Sequence, residues 1–303
     1  MEDPFQGRVQ TKLIACSAIR AVFPDVDLRT IQYLGSGWEF DAFRTADDWV
    51  FRFPRRAEAQ ELFEREAPIL DLVRPRLAPE TTVPRVERLA PPTDAFPFQF
   101  AGHRFIEGVP ADSLPQRLHA ELARSIGAAL AAVHSVPLEA ARAAGVVELD
   151  RPAAERRVWF ERGLSNASKL VGSDPIVDRA VEWVRNGENP LRRLNAPLRF
   201  IHDDLSPEHI LVDPKTGHVT GILDWTDAIL GDAARDFVAL VAFGGWRFVE
   251  GVIDGYSCEI DPGFYERLRF MARLLPVMWL GEAYAKNEDI SKHLRWVRNA
   301  FVE

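Results

Sequence analysis

The sequence predicts an α+β fold with two lobes: a β-rich N-terminal lobe at residues 1–104 and a mainly helical C-terminal lobe at residues 105–303. Two observations lead to this prediction. Apolar and polar residues alternate through much of the first third of the chain, as in half-buried strands, whereas after Gly108 the apolar residues recur at helical spacing. A regular alternation of strands with helices is absent, which disfavours a doubly wound dinucleotide-binding fold.

The N-terminal lobe is expected to open with a helix that stops at Pro24, because proline interrupts helices. The predicted elements are a helix at 11–23, strands at 31–44, 49–53 and 98–106, and a helix at 58–74. Pro68 lies inside the last pattern. We therefore expect either a kink at that residue or a helix that starts later than the pattern indicates.

The C-terminal lobe is expected to be helical around one short β-rich segment. Its predicted helices lie at 119–133, 152–170, 174–186, 233–254 and 263–299, and the β-rich segment lies at 199–226. In the first of these helices, Leu122, Ile126, Leu130 and Val133 share one face. The β-rich segment therefore places a pair of short strands and their loops among packed helices.

Composition and charge exclude several classes of protein. The 37 basic and 45 acidic residues give a net charge of −8, which makes nucleic acid and anionic membranes poor partners. The two cysteines are too few for a disulfide framework, and the most apolar stretch, residues 237–246, is too short to cross a bilayer. The first ten residues are polar, unlike a signal or transit peptide. We expect a soluble cytoplasmic protein that is a monomer by default.

The most informative motif lies in the β-rich segment. An apolar run delivers His202, Asp203 and Asp204 to a loop, His209 follows five residues after Asp204, and a hairpin-like turn returns the chain to Asp224. Carboxylates at the ends of adjacent strands can converge on one site, which suits phosphoryl transfer: one orients the acceptor hydroxyl and the other holds magnesium. Each aspartate alone is also typical of a helix cap or turn, but the combined spacing favours the catalytic interpretation.

The pattern His-x-Asp-x-x-x-x-His followed by Ile-Leu-Asp-Trp resembles the catalytic core of the aminoglycoside and macrolide phosphotransferases, which are relatives of the protein kinases. The resemblance covers most of the chain and implies a protein-kinase-like fold. It implies that Asp204 is the catalytic aspartate and that Asp224 is a magnesium ligand. It puts His209 where most members have a metal-binding asparagine. It also implies structural roles for His202 and for Asp236, which would brace the catalytic loop.

Two residues depart from the family pattern. Asp203 stands where the family usually has glycine, so either the backbone differs there or an extra acid faces the substrate. The histidine at 209 is typical of macrolide kinases, and magnesium prefers oxygen to nitrogen ligands, so the preferred metal stays open. A hydrogen-bonded loop histidine is the alternative interpretation of His209.

The nucleotide is expected to bind the N-terminal lobe. Gly35, Ser36 and Gly37 form a loop that lets backbone N–H groups approach phosphates, although a plain hairpin has the same pattern. By the resemblance, Arg52 takes the place of the usual phosphate-binding lysine. Its expected partner is Glu66, with Glu64 as the second choice. The alternative is an exposed basic strand end beside solvated helical acids.

The strand at 98–106 resembles the family's hinge, where backbone groups of Arg104 and Ile106 would contact the purine edge. Backbone contacts do not distinguish the bases, so the donor is ATP or GTP. For the acceptor pocket we expect Trp246, Trp279 and Glu282 beside Asp203. The apolar character of the C-terminal helices is typical of macrolide kinases, while the loop at 34–37 and the segment 105–110 look more like aminoglycoside 2″-type enzymes. The choice between these substrates stays open.

The sequence therefore predicts a magnesium-dependent O-phosphotransferase that acts on a hydroxyl group of a small molecule, most simply an antibiotic. A metabolite kinase with the same core residues is one alternative. A nucleotide-binding pseudokinase is the other, because positions 52 and 209 carry unusual residues.

Overall fold

The computed structural model describes residues 12–148, 153–186 and 196–302, so residue 11 and residue 152 of two predicted helices lie outside the described residues. The elements of the N-terminal lobe are α1 (Lys12–Val22), β1 (Ile31–Ser36), β2 (Phe40–Thr45), β3 (Trp49–Pro54), α2 (Leu62–Val73), β4 (Arg88–Ala90) and β5 (Phe100–Arg104). The predicted run at 31–44 is two strands, because the chain turns at residues 37–39.

The five strands form an antiparallel sheet in the order β1-β2-β3-β5-β4. All six residues of the central strand β3 are buried. One face of this strand packs Phe51 and Phe53 into an aromatic core with Phe100 and the buried side of α1. The other face turns Val50 and Arg52 toward the cleft described below. Because both faces of β3 are buried, apolar and polar residues alternate only weakly along this strand.

The second helix starts later than the pattern indicates, which is one of the two outcomes expected from the presence of Pro68. A 3-10 turn covers Ala57–Glu61, and α2 then runs from Leu62 through Pro68. Proline inside a helix removes one backbone hydrogen bond and costs about 3 kcal/mol. Burial of Ile69, Leu70 and Val73 against the C-terminal lobe offsets this cost.

The elements of the C-terminal lobe are β6 (Val109–Pro110), α3 (His119–His134), α4 (Leu138–Ala143), α5 (Ala153–Ala167), α6 (Pro175–Asn186), β7 (Leu198–Ile201), β8 (Ile210–Val212), β9 (Val219–Ile222), β10 (Ile229–Asp232), α7 (Val238–Gly255), α8 (Phe264–Ala285) and α9 (Ser291–Phe301). The helical run predicted at 263–299 is two helices. Asn287 adopts a left-handed φ of 57° between them, which ends the first helix.

The strands of this lobe form two small antiparallel sheets, β6-β8-β9 and β10-β7. Helices α3 and α7 pack against each other at very short range. A Cβ atom at Gly127 would lie 2.0 Å from the Val252 carbonyl oxygen, and one at Gly255 would lie 2.2 Å from the Arg124 carbonyl oxygen. Glycine at both positions therefore lets the two backbones touch.

The α+β class, with a β-rich N-terminal region and a helical C-terminal region, is confirmed. Within the parts of the chain that the structure describes, no helix is both long and apolar enough to cross a membrane.

Candidate active site

A cleft of about 770 Å³ lies between the N-terminal sheet and the small sheets of the C-terminal lobe. This volume is in the range of small-molecule and cofactor sites. The cleft brings together half of the site residues predicted from sequence: Gly35, Ser36, Gly37, Arg52 and Ile106 from the N-terminal side and Asp204, His209 and Asp224 from the opposite side.

The acidic side of the cleft is built by the loop 202–209, which follows strand β7. The buried carboxylate of Asp236 accepts the backbone N–H of His202 at 2.9 Å and that of Asp203 at 2.8 Å. Burial alone would raise the pKa of Asp236, but the hydrogen bond from His134 and the backbone N–H of His202 keep it below its usual value. Asp236 is thus an anionic anchor for the start of the loop.

His202 joins this loop to the strand end that carries Asp224. Its buried Nε2–H donates to the Leu223 carbonyl oxygen at 2.9 Å, and its Nδ1 accepts the backbone N–H of Asp204 at 3.3 Å. Burial lowers the pKa of His202, which keeps the imidazole neutral, as this pair of bonds requires. The side chain holds the two aspartates at a fixed spacing.

Asp204, His209 and Asp224 converge on the floor of the cleft, with one ligand atom from each lying within 4.8 Å of the others. His209 Nδ1 lies 2.8 Å from the Asp204 carbonyl oxygen, so it carries the proton and donates it. In the neutral ring Nε2 then bears the lone pair, and it lies 3.7 Å from Asp224 Oδ2. Two carboxylates and an imidazole lone pair form a donor set that fits a divalent cation.

The Asp204 carboxyl group is the reactive candidate in this cluster. Desolvation in the cleft raises its pKa to about 7; His209 opposes this rise, and the negative charges of Asp224 and Asp227 add to it. A carboxyl group with a raised pKa is a better proton acceptor than an ordinary aspartate, and Asp204 lines the cleft where an acceptor hydroxyl can approach.

Across the cleft, Arg52 pairs with Glu66, the partner expected first. Arg52 Nη1 donates to Glu66 Oε1 at 3.2 Å, and Nη2 donates to Oε2. The Glu66 side chain has 0% exposure and that of Arg52 has 11%, whereas Glu64 is exposed. The pair is therefore a buried bidentate ion pair and not a solvated surface contact.

The end of strand β5 and the residues that follow it form one wall of the cleft. His103, Phe105 and Ile106 line it, but Arg104 does not. The Arg104 guanidinium donates to the Asp47 carbonyl oxygen at 2.9 Å and lies 3.9 Å from the Trp49 ring. Its carbonyl oxygen accepts His103 Nδ1–H at 2.8 Å. The Arg104 side chain thus lies on the far side of the strand, but its carbonyl oxygen has a second lone pair, so the backbone contact of Arg104 to the purine stays a prediction.

Asp203 does not face a substrate. Its side chain is 5% exposed and forms a bidentate ion pair with Arg235, with Nη2 3.0 Å from Oδ2. Its φ is 65°, a left-handed conformation that glycine adopts without cost and that aspartate tolerates better than most residues. The geometry explains why glycine suits this position, and the Arg235 pair explains how an aspartate is held there.

The other acceptor-site predictions also lie outside the cleft. Trp246 Nε1 donates to the Ala300 carbonyl oxygen at 3.1 Å, which ties α7 to α9. Trp279 packs against Trp296 with ring centroids 5.7 Å apart, and Glu282 accepts Arg162 Nε at 2.8 Å. Trp246 and Trp279 are half-buried against the core, and Glu282 is held in an ion pair with Arg162, so none of the three opens onto the cleft.

Several cleft residues were missed by the sequence reasoning: Trp38, His103, Glu208 and Asp227. Trp38 is 74% exposed at the tip of the turn after Gly37, and the Lys286 ammonium lies 5.5 Å from its ring. Glu208 accepts Lys292 Nζ at 3.0 Å. The sequence offered one indication of their role, which is that each lies close to a residue already predicted to belong to the site. Trp38 follows Gly37, His103 precedes Arg104, Glu208 precedes His209, and Asp227 lies three residues after Asp224.

Comparisons with known proteins agree with this architecture. A sequence model described as "Phosphotransferase enzyme family" matches residues 30–271. The chain is 28% identical over 238 residues to "Uncharacterized protein YcbJ" of Bacillus subtilis (strain 168), covering 73% of each chain.

Solved structures show the same fold. The GDP complex of wild-type aminoglycoside 2'-phosphotransferase-IIIa superposes with a TM-score of 0.72 at 22% identity, covering 96% of this chain and 98% of that one. The macrolide 2'-phosphotransferase MphH from Brachybacterium faecium gives 0.61 at 24% identity over 96% and 98% of the two chains. The chain belongs to the phosphotransferase enzyme family and has its kinase-like fold. The predicted enzyme class is therefore confirmed.

Proposed function

We propose that this protein transfers the γ-phosphoryl group of ATP or GTP to a hydroxyl group of a small molecule. The observation that carries the proposal is the convergence of Asp204, His209 and Asp224 opposite the buried Arg52–Glu66 pair in one cleft. Phosphoryl transfer needs little covalent chemistry from the protein and depends on positioning and charge stabilisation.

Each side chain has a distinct role in this proposal. Asp204 accepts a hydrogen bond from the acceptor hydroxyl and takes its proton, which its raised pKa favours. Arg52, fixed by Glu66, contacts the nucleotide phosphates, and the loop at residues 35–37 lies over them. Asp224 and His209 are the ligands of Mg²⁺, which neutralises phosphate charge when bound. Transfer is in line, with no covalent enzyme intermediate.

Backbone groups of Arg104 and Ile106 remain the proposed contacts of the purine; Ile106 lines the cleft, and the N–H of the intervening Phe105 already donates to the Asp48 carbonyl oxygen. Such contacts suit either adenine or guanine. We propose a monomer as the default state. ATP and GTP are cytoplasmic metabolites, which supports a cytoplasmic location.

We further propose an antibiotic as the acceptor, since the structures of similar fold are aminoglycoside and macrolide phosphotransferases. The cleft that contains Asp204 also carries the carboxylate of Asp227 and the exposed ring of Trp38. Carboxylates and an aromatic face bind cationic groups, so an amino sugar is favoured over a neutral macrolactone ring.

The test is a phosphorylation assay with Mg²⁺ and either ATP or GTP, run against a panel of aminoglycosides and macrolides and read by mass spectrometry. We expect one aminoglycoside to gain a single phosphoryl group. A phosphorylated macrolide would contradict the proposed amino-sugar acceptor but would support phosphoryl transfer to a hydroxyl group. Nucleotide hydrolysis without any modified antibiotic would point to a metabolite hydroxyl. Nucleotide binding without turnover would indicate a pseudokinase.

A further inference from the structure

A chain of buried hydrogen bonds lies beneath the loop 202–209 and ends at the Asp236 carboxylate. His134, the last residue of α3, has Nε2 3.0 Å from Asp236 Oδ2 and Nδ1 2.7 Å from the Tyr256 hydroxyl oxygen. The side chains of His134 and Asp236 have 0% exposure. Tyr256 follows the end of α7, so three separate elements meet at this point.

The chemistry of the partners fixes the direction of these bonds. A carboxylate only accepts, so His134 Nε2–H donates to Asp236. In the neutral imidazole Nδ1 then carries the lone pair, and it accepts the Tyr256 O–H. Both ring nitrogens of His134 are satisfied. The Asp236 carboxylate thereby receives three donors: His134 Nε2 and the backbone N–H groups of His202 and Asp203.

Oδ2 receives both the histidine and the His202 N–H, whereas Oδ1 receives the Asp203 N–H. The His134 bond therefore restricts rotation of the carboxylate about its Cβ–Cγ bond. Without it, the carboxylate can turn away from either backbone donor, and the loop loses its anchor. Asp204 is the next residue after Asp203, so a change at this anchor moves the proposed catalytic carboxyl group directly.

We infer that His134 and Tyr256 are positioning residues for phosphoryl transfer, which act by orienting Asp236 and, through it, the backbone at residues 202–204. The catalytic part of this inference rests on the proposed function. Neither residue lines the cleft, so neither contacts nucleotide or acceptor. Their loss should lower kcat and leave the KM for nucleotide unchanged, because the proposed direct contacts of the phosphates, Arg52 and the loop at residues 35–37, lie across the cleft from this anchor.

Two substitutions at one position separate the hydrogen bond from packing. His134→Gln places an amide N–H as many bonds from Cα as the imidazole Nε2, so it can still donate to Asp236. His134→Asn is one atom shorter, and its amide cannot reach. A third variant, Tyr256→Phe, removes only the hydroxyl group and keeps the ring packed against Phe237, with centroids 5.4 Å apart.

For His134→Asn we expect kcat to fall about 10- to 100-fold with a KM for nucleotide within about 3-fold of the wild-type value. His134→Gln should restore kcat to within about 5-fold of wild type, and Tyr256→Phe should lower it about 3- to 10-fold. Unchanged kcat in a folded His134→Asn variant, or equal losses in the Asn and Gln variants, would overturn the inference. If His134→Asn does not fold, the test rests on Tyr256→Phe. A kcat equal to that of the wild-type protein would overturn the inference, and a fall in kcat without a change in the KM for nucleotide would support it.

Hydrogen exchange by mass spectrometry gives a readout that does not depend on turnover. The peptide that contains residues 202–204 should exchange faster in His134→Asn and return to the wild-type rate in His134→Gln. Unchanged exchange in the Asn variant would overturn the inference. A wild-type enzyme that shows no phosphoryl transfer would instead contradict the proposed function, and the exchange pattern would still test the orientation of Asp236.

Discussion

The buried Arg52–Glu66 pair makes a sharp prediction about stability. We consider Arg52→Met and Glu66→Leu, made singly and together, because each replaces a charged side chain by an apolar one of similar size. Removing one partner leaves the other charge buried and uncompensated. Removing both leaves no buried charge at this position, and apolar replacements can fill the space.

The structure sets the size of each effect. The Glu66 side chain has 0% exposure, so Arg52→Met should cost about 5 kcal/mol in the free energy of unfolding, the upper end for broken buried pairs. Arg52 is 11% exposed at the cleft, so Glu66→Leu should cost about 3 kcal/mol. The double variant should lose no more than about 4 kcal/mol, which implies a coupling of roughly 4 kcal/mol between the two positions.

Urea unfolding of the four proteins, followed by tryptophan fluorescence, measures this cycle. Additive losses, with a coupling below about 0.5 kcal/mol, would refute the reasoning. Nucleotide titration provides the second readout. The double variant should bind ATP and GTP weakly although its stability partly recovers, because the phosphate-binding cation is gone.

Four further predictions follow from the site and the packing. Asp204→Asn should lower kcat by about 10³-fold while calorimetry shows nucleotide affinity within about 3-fold of wild type; near-normal turnover would sink the assignment. His209→Asn should raise the ratio of activity with Mg²⁺ to that with Mn²⁺ in metal titrations, because an amide oxygen replaces a nitrogen ligand. Burial lowers the pKa of His103 from 6.5 to about 3. Between pH 6.5 and pH 3 this histidine is therefore protonated in the unfolded chain and neutral in the folded chain, so the free energy of unfolding falls as the pH drops below 6.5. Between pH 7 and about pH 5, the loss of unfolding free energy should be about 2 kcal/mol smaller in His103→Gln than in the wild-type protein; equal losses in both proteins would contradict this prediction. Gly127→Ala should lower the melting temperature, because its Cβ atom would lie 2.0 Å from the Val252 carbonyl oxygen; an unchanged melting temperature would show that the helices separate at no cost.

Long periodic elements were predictable because their pattern repeats over several turns or strands. The helices at 119–133 and 174–186 correspond closely to α3 and α6. Strand β4, of three residues, and the six-residue helix α4 were missed. Segments this short hold too few residues for a period to emerge, and they are stabilised by neighbours distant in sequence.

The candidate site likewise contains features that the sequence predicted and features that depend on residues distant in the chain. Spacing within one motif brought Asp204, His209 and Asp224 together correctly, because a hairpin fixes the relation between its own strands. The position of Asp203 was not predictable, since its burial depends on Arg235, which lies 32 residues further along the chain. The orientation of Trp246 depends on which face of α7 meets α9, a property of tertiary packing that helical spacing does not contain.

The central claim is that the cleft performs phosphoryl transfer through Asp204. The most direct measurement needs no knowledge of the acceptor: Mg²⁺-dependent release of phosphate from ATP and GTP in its absence, compared between the wild-type protein and Asp204→Asn. The account predicts slow hydrolysis of at least one nucleotide by the wild-type protein and its loss in the variant, with binding retained in both. Tight nucleotide binding with no hydrolysis by the wild-type protein, or equal hydrolysis by both proteins, would contradict it.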